Sequence, residues 1–223
     1  MSCGDALAGP RMATIAVVDY GMGNLRSVSK AVEHVAPGTE VIVTADAAAV
    51  DAADRVVFPG QGAMPDCMRE LARAGLREAV LRATRRKPLL GICVGAQMLF
   101  EWSAEGDTPG LGVFHGKVLR FPRERLRAAP GGPLKVPHMG WNQVRQTASH
   151  PLWRGIRDGE RFYFCHSYYF APAETGLESG ASEYGLPFTC ACARDNIFAV
   201  QFHPEKSHTA GLQLLANFAS WNP

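Results

Sequence analysis

Apolar runs alternate with amphipathic segments over the first hundred residues of the chain. Residues 14–19 form a short β-branched run, and residues 21–24 separate it from apolar positions at helical spacing in residues 25–35. The pattern predicts a strand, a tight turn and a helix. The same reasoning predicts strands at residues 41–43, 55–58 and 88–92, and helical segments in the Ala-rich stretch after residue 43, at residues 64–84 and at residues 94–102.

The pattern changes after about residue 113. Short alternating segments broken by Gly and Pro predict antiparallel strands at residues 117–121, 134–138, 161–165 and 188–193. A last strand at residues 197–201 precedes a helix at residues 209–218. Since parallel strands need crossover connections, which the first half supplies, we predict an α/β fold. Its open, mostly parallel sheet is flanked by helices, with an additional antiparallel strand region in the second half.

The composition is that of a folded globular protein. Of the 223 residues, 47% are hydrophobic and 20% are charged, which provides a full core and excludes a disordered chain. Residues 1–11 have neither a basic start nor a long apolar run, so we predict a loose tail there and one domain at residues 12–223.

Charge, hydropathy and cysteine spacing exclude several partners. The net charge of +2 is not concentrated in blocks, so nucleic-acid binding is not expected. The longest mostly apolar stretch, residues 89–100, is far shorter than the ~20 residues that span a bilayer, so no membrane partner is expected. Scattered cysteines without a C-x-x-C pair, and the lack of a phosphate-binding motif, predict no metal, no cofactor and a cytoplasmic location.

Cys93 lies in the sequence GICVG, residues 91–95, where a predicted buried strand passes directly into a predicted helix. A nucleophile at such a sharp turn is held at the carboxyl edge of the sheet, and flanking glycines leave room for the bend. We expect a strained backbone at Cys93, and the positive end of the helix favours thiolate over thiol. The alternative is an ordinary strand-to-helix turn with a buried cysteine.

A thiol nucleophile needs a base, and His203 is the best placed of the seven histidines. It follows the last predicted strand, whose carboxyl edge lies on the same side of a parallel sheet as the Cys93 turn. In an extended segment Glu205 points the same way as His203, so it can accept the Nδ1 proton and leave Nε2 for the sulfur. A surface His-Pro-Glu turn is the alternative. Cys165 and His166 are a poorer pair, because adjacent strand residues point to opposite faces.

Acyl transfer also needs hydrogen-bond donors for the oxyanion of a tetrahedral intermediate. The sequence PGQG, which we call the 59–62 turn, offers the backbone N–H groups of Gly60, Gln61 and Gly62 at the same sheet edge. The amide of Val94, directly after the nucleophile, would be a further donor. By itself this glycine-rich segment is also compatible with a structural loop.

Three segments, in this order and at these separations, resemble class I glutamine amidotransferases, whose triad is Cys, His and Glu: FPGQG at 58–62, GICVGAQ at 91–97 and HPE at 203–205. Three more resemble, within that family, the glutaminases of imidazole glycerol phosphate synthase in histidine biosynthesis: DYGMGNLRSV at 19–28, PHMGWN at 137–142 and YFCHSYY at 163–169. The resemblance extends from about residue 14 to the C-terminus. One departure is Gln61, where relatives commonly carry a small apolar residue.

The resemblance implies that L-glutamine is the substrate and that Cys93, His203 and Glu205 form the triad. Cys93 would attack the carboxamide to form a γ-glutamyl thioester and release ammonia, and water activated by His203 would free glutamate. Four positions match those that hold the α-amino and carboxylate groups of glutamine in the family: Gln97, Glu105, Ser167 and Tyr168.

The resemblance also implies a partner, the cyclase subunit of imidazole glycerol phosphate synthase, a (β/α)8 barrel that receives the ammonia in a 1:1 heterodimer. Four residues and one aromatic run have no role in attacking the amide and match the partner-facing surface of the family: Asn24, Pro137, His138, Met139 and the run at residues 163–169. As an alternative, the aromatic run at residues 163–169 would serve the core of any protein.

Other functions stay open from the sequence. The same triad would serve glutaminases of guanylate, anthranilate or pyridoxal phosphate synthesis. A non-catalytic binding subunit would keep the turn around Cys93 as a scaffold. A cysteine peptidase on a related α/β scaffold is disfavoured by the His-Pro-Glu order and by Gln97.

Overall fold

The computed structural model of the chain describes residues 12–129 and 131–223, so the predicted tail at residues 1–11 lies outside the described residues. Thirteen strands form one sheet: β1 (Ala13–Val18), β2 (Thr39–Thr44), β3 (Arg55–Gly60), β4 (Leu89–Cys93), β5 (Phe100–Ser103), β6 (Thr108–Pro109), β7 (Phe114–Arg120), β8 (His138–Gln146), β9 (Glu160–His166), β10 (Tyr168–Pro172), β11 (Glu178–Glu183), β12 (Pro187–Arg194) and β13 (Ile197–Val200). Its helices are α1 (Leu25–Val35), α2 (Ala47–Ala52), α3 (Met64–Arg73), α4 (Arg77–Arg86), α5 (Val94–Gln97), α6 (Arg123–Arg127) and α7 (His208–Ser220).

The first half of the chain builds a parallel sheet, as predicted. Its strand order is β2-β1-β3-β4-β13, and every neighbouring pair is parallel. All residues of β3 and β4 are buried, which is why both strands, apart from Arg55 at the start of β3, are continuously apolar rather than alternating. The carboxyl ends of β3, β4 and β13 therefore meet at one sheet edge.

The second half adds antiparallel strands to this sheet. Strand β12 pairs antiparallel with β13, and β10 continues the sheet from β12 to β7. A branch from β12 passes through β11 to β8 and β9, again with antiparallel pairing. The predicted combination of a parallel sheet with an antiparallel region is confirmed.

The predicted helix at residues 94–102 is wrong, because α5 ends at Gln97 and β5 begins at Phe100. The carbonyl oxygens of Met98 and Phe100 accept hydrogen bonds from the backbone N–H groups of residues 111 and 112, at 2.7 and 3.1 Å, instead of helical ones. The ring of Phe100 is fully buried and stacks on Phe170 with centroids 5.1 Å apart. Burial of this aromatic ring overrides the local helical pattern.

The predicted strand at residues 134–138 is also displaced. Strand β8 begins at His138 and continues to Gln146, directly after Pro137. Proline has no N–H to donate to a ladder, so pairing with β9 starts only at the next residue. The backbone N–H of Leu134 bonds instead to the carbonyl oxygen of Leu126, at 2.9 Å.

Candidate active site

Cys93 is the last residue of β4 and immediately precedes α5. Its backbone has φ of 55° and ψ of −116°, the strained conformation predicted for a nucleophile held at a strand-to-helix turn. Only glycine fits at position 95, because a Cβ there would lie 2.1 Å from the carbonyl oxygen of Phe58. Since α5 has only four residues, its dipole is weaker than that of the longer predicted helix.

His203 lies beyond the end of β13, the parallel neighbour of β4. Its Nδ1 lies 2.9 Å from Glu205 Oε1, and it lines the same cavity as Cys93, whose sulfur acts on its pKa. Since Nδ1 faces the carboxylate, Nε2 is the nitrogen left for the sulfur. The contact with Glu205 agrees with the sequence analysis, but its reason does not: a 3-10 turn at Pro204–Lys206, not an extended segment, brings the two side chains together.

The charges around His203 favour the protonated form of its imidazole. Burial alone would lower the pKa of His203, but the adjacent Cys93 sulfur and the Glu205 carboxylate outweigh it and raise the pKa to about 10. The side chains of His203 and Glu205 are 8% and 1% exposed, so water screens their attraction little. At neutral pH the arrangement holds an imidazolium between a sulfur and a carboxylate.

Gln201 completes the surroundings of the sulfur and was missed by the sequence analysis. The residue is fully buried, and its Nε2 lies 3.8 Å from Cys93 Sγ. Its Oε1 accepts a hydrogen bond from Gln97 Nε2 at 2.9 Å. Gln97 Oε1 then has no hydrogen-bond partner among the described residues. Its position two residues before His203, at the end of the same predicted strand, was the signal available in the sequence.

The 59–62 turn lies beside the nucleophile. Strand β3 extends through Gly60, which is the Cα partner of Cys93 in the parallel register of β3 and β4. Gly62 has a φ of 108°, which favours glycine. Gln61, Gly62 and Val94 all line the same cavity as Cys93.

This cavity has a volume of about 320 Å³ and brings together residues from six separate parts of the chain. All four residues predicted to hold glutamine line it: Gln97, Glu105, Ser167 and Tyr168. One of them also has a structural role, because Glu105 Oε2 accepts the backbone N–H of Met64 at the start of α3, at 2.9 Å. Cys165 and Lys206 contribute further lining groups.

The predicted partner-facing residues do not form one exposed patch. Met139 is 61% exposed and Pro137 lines the cavity, whereas His138 is only 3% exposed and offers a partner little surface. Asn24 precedes α1 without a side-chain capping bond. Trp141, which the sequence analysis did not single out, is 40% exposed and points to the same side of β8 as Met139.

His138 is instead one end of a buried hydrogen-bond chain. Its Nδ1 lies 2.9 Å from His166 Nε2, and His166 Nδ1 lies 2.7 Å from the carbonyl oxygen of Tyr168 in the cavity wall. Since a carbonyl only accepts, His166 Nδ1 carries a proton and His138 donates to His166 Nε2. Burial lowers the pKa of His138 to about 4 and that of His166 to about 3, so both rings are neutral at neutral pH.

Residues 12–129 and 131–223 contain neither a membrane-spanning helix nor a cluster of potential metal ligands. No helix there combines the length and the hydropathy needed to cross a bilayer. No group of three or more His, Cys, Asp or Glu side chains in that part of the chain is arranged to hold a metal ion.

Comparisons with known proteins show which family the chain resembles. The family model described as glutamine amidotransferase class-I matches residues 16–220. The imidazole glycerol phosphate synthase subunit HisH of Dechloromonas aromatica (strain RCB) is 69% identical over 210 residues, covering 94% of this chain and 97% of that protein. The subunit of the same name from Thiobacillus denitrificans (strain ATCC 25259 / T1) is 64% identical, covering 94% of this chain and 92% of that protein.

Solved structures of low sequence identity have a fold similar to that of this chain. The structure of PurLQS from Thermotoga maritima has a TM-score of 0.66 at 17% sequence identity, covering 93% of this chain and 98% of that chain. A crystal structure of a glutamine amidotransferase, also from Thermotoga maritima, has a TM-score of 0.59 at 17% identity, covering 88% of this chain and 77% of that chain.

Proposed function

The chain belongs to the glutamine amidotransferase class-I family, and we propose that it is the glutaminase subunit of an imidazole glycerol phosphate synthase. The proposed chemistry rests on one observation: Cys93, His203 and Glu205 are buried next to one another at the wall of a cavity. The identity of 69% to a subunit named for that synthase supports the choice of pathway. We place the reaction in the cytoplasm, where biosynthesis of this class takes place.

The proposed reaction begins with attack of the Cys93 thiolate on the side-chain carbonyl carbon of L-glutamine. The resulting tetrahedral oxyanion is held by backbone N–H groups of the 59–62 turn and of Val94. The His203 imidazolium gives its proton to the leaving nitrogen, so the C–N bond breaks, ammonia departs and a γ-glutamyl thioester remains. Glu205 keeps the imidazolium oriented and does not itself take the proton.

Hydrolysis of the thioester restores the site. The neutral imidazole of His203 takes a proton from water, whose oxygen attacks the thioester carbonyl. Collapse of the second tetrahedral intermediate breaks the C–S bond, which releases glutamate and restores thiolate and imidazolium. Because free ammonia is protonated and diluted in water, we propose that it passes directly to a cyclase subunit, the partner in a heterodimer.

We propose that glutamine is held by groups of the same cavity. Gln97 Oε1 is buried and lacks a partner among the described residues, so it can accept a hydrogen bond from the α-ammonium group. The Glu105 carboxylate adds a negative charge for the same group, and Ser167 and Tyr168 line the cavity beside it. We propose that Met139, Pro137 and Asn24 contact the partner subunit.

The test is glutamate release from glutamine, measured with the chain alone, with the cyclase subunit and with the acceptor-binding subunits of guanylate and anthranilate synthesis. We expect that the cyclase subunit, and none of the other subunits, stimulates glutamate release. In the Cys93→Ala variant this release should be lost. Stimulation only by another synthase would contradict the pathway. Undiminished release by Cys93→Ala would contradict the chemistry, and no release with any partner would favour a binding subunit.

A further inference from the structure

We propose that Tyr20 and Cys67 are positioning residues that hold the peptide groups of the 59–62 turn in the orientation that oxyanion binding requires. The inference rests on the glutaminase function proposed above and adds two side chains that have no contact with glutamine in that mechanism. Both lie behind the turn: Tyr20 follows β1, and Cys67 lies in the first turn of α3.

Tyr20 holds the first carbonyl of the turn. Its hydroxyl donates to the carbonyl oxygen of Pro59 at 2.9 Å and lies 3.6 Å from Met98 Sδ. The ring is 3% exposed and packs on Phe58, with centroids 5.7 Å apart. Burial, with a smaller effect of Cys67, raises the pKa of Tyr20 well above its usual value, so the hydroxyl keeps its proton.

Cys67 holds a second carbonyl, two residues further along. Its Sγ lies 3.5 Å from the carbonyl oxygen of Gln61, and the side chain is fully buried. Burial raises the pKa of the Cys67 thiol to about 11, and the nearby Cys93 sulfur adds to the effect. The thiol therefore stays protonated at working pH and serves as a donor rather than a nucleophile. The hydroxyl of Tyr20 is near enough to act on the pKa of Cys67, which places the two side chains side by side behind the turn.

These contacts fix backbone amides as well as carbonyls. In a trans peptide the C=O and the following N–H point in opposite directions. Restraint of the Gln61 oxygen therefore sets the direction of the Gly62 N–H, and restraint of the Pro59 oxygen fixes the end of β3 from which the turn departs. Gly60 is level with Cys93 in the β3–β4 register, and Gly62 lines the cavity. A donor that rotates away from the oxyanion is lost to catalysis even when the fold is intact.

The strength of the two restraints differs. A thiol is a weak donor, so the Gln61 contact is softer than the Pro59 contact made by a phenol. Close packing adds to the Tyr20 restraint, since a Cβ on Gly60 would lie 2.7 Å from the Tyr20 hydroxyl. The turn is therefore held firmly at its start and loosely at its end.

The test uses the chain in complex with the cyclase subunit. Tyr20→Phe and Cys67→Ala remove the donors, whereas Cys67→Ser keeps one. Each donor-removing variant is expected to lower kcat for glutamate release about tenfold with KM within twofold, which is less than the ~10²-fold or greater loss of a whole oxyanion donor. Cys67→Ser is expected to stay within about twofold of wild type. Tyr184→Phe, which removes a phenol bonded to the Lys135 carbonyl oxygen, and Cys192→Ala, which empties the same volume elsewhere, are matched controls.

A second readout separates orientation of the turn from general damage. Alkylation of Cys93 by iodoacetamide displaces iodide at a saturated carbon and forms no oxyanion, so its rate should not change in any of these variants. Full glutaminase activity of Cys67→Ala and Tyr20→Phe would overturn the inference, and so would a parallel loss of alkylation and turnover. Absence of turnover in the wild-type complex would instead contradict the proposed function, on which this inference rests.

Discussion

Gly60 lies directly beside Cys93 in the parallel register of two buried strands. At this point the backbone of the 59–62 turn lies directly against the backbone around the nucleophile, with no side chain between them. A Cβ on Gly60 would lie 2.4 Å from the backbone nitrogen of Gly95, and a Cβ on Gly95 would collide with the Phe58 carbonyl oxygen. The glycines around Cys93 are thus required by the approach of two chains, in addition to the bend itself.

Gly95→Ala is therefore expected to destabilise the protein by about 3 kcal/mol, since the backbone atoms in its way cannot move without breaking β3. Gly38→Ala is the matched control. Its φ of +86° is unfavourable for alanine, but nothing lies within 4 Å of the new Cβ, so about 1 kcal/mol is expected. Urea unfolding of both variants measures the difference. Equal costs would show that close approach is not the cause.

Glu205→Gln is expected to lower kcat by about 10²- to 10⁴-fold with little change in KM, because the amide no longer stabilises the imidazolium. The carboxylate is one of the groups that raise the pKa of His203 to about 10. Its removal lowers that pKa, so the alkaline limb of the pH–kcat profile should move to lower pH. An unmoved limb would contradict the assignment of the carboxylate. Glu183→Gln, at an exposed position, should leave the profile as in wild type.

The parallel sheet and the meeting of Cys93 and His203 at one cavity were predictable because the strands themselves have local signals. Continuous apolar runs identify buried strands, and the carboxyl ends of parallel strands lie at one edge, which brings Cys93 and His203 together whatever the rest of the chain does. The helix predicted after Gln97 was wrong because burial of Phe100 depends on partners at residues 114 and 170, far along the chain.

His150 makes stability depend on pH away from the active site. Its ring packs between Phe198 and Trp221, and its Nδ1 accepts the backbone N–H of Leu152 at 3.2 Å. Burial lowers the pKa of His150 to about 4. Below pH ~6.5 the unfolded chain takes up a proton that the native ring does not, so the free energy of unfolding falls by up to about 1.4 kcal/mol per pH unit.

His150→Asn keeps an N-cap acceptor and removes the titrating ring. Urea unfolding between pH 6.5 and 4.5 should show a shallower loss of stability in this variant than in wild type. His34→Asn, at an exposed position on α1, should follow the wild-type slope. Identical slopes for His150→Asn and wild type would contradict a neutral buried ring.

Met139 tests the proposed docking surface. Met139→Asp is expected to weaken cyclase binding at least about tenfold, since a charge would be buried where a flexible apolar side chain packs. Val43→Asp is the matched control, because Val43 is 44% exposed but lies on β2 at the far edge of the sheet. Titration calorimetry compares the two dissociation constants. Equal effects of Met139→Asp and Val43→Asp on the dissociation constant would show that the partner does not dock at Met139.

Contacts that depend on tertiary geometry could not be predicted from the sequence. Gln201 had no motif of its own, and its amide is placed between Cys93 and Gln97 only by the pairing of β13 with β4. The burial of His138 likewise follows from pairing with His166 across β8 and β9. The Glu205 contact was anticipated for the wrong reason, since local backbone geometry decided how two residues two apart meet.

The central claim is that the Cys93 sulfur is the nucleophile that forms a γ-glutamyl thioester. The most direct measurement is labelling of the cyclase-bound chain with a glutamine-mimicking electrophile, followed by peptide mapping in a mass spectrometer. A single adduct on Cys93, prevented by excess glutamine and strongly slowed in Glu205→Gln, is the predicted result. An adduct on Cys165, on Cys67 or on no cysteine, while the complex still releases glutamate, would contradict it.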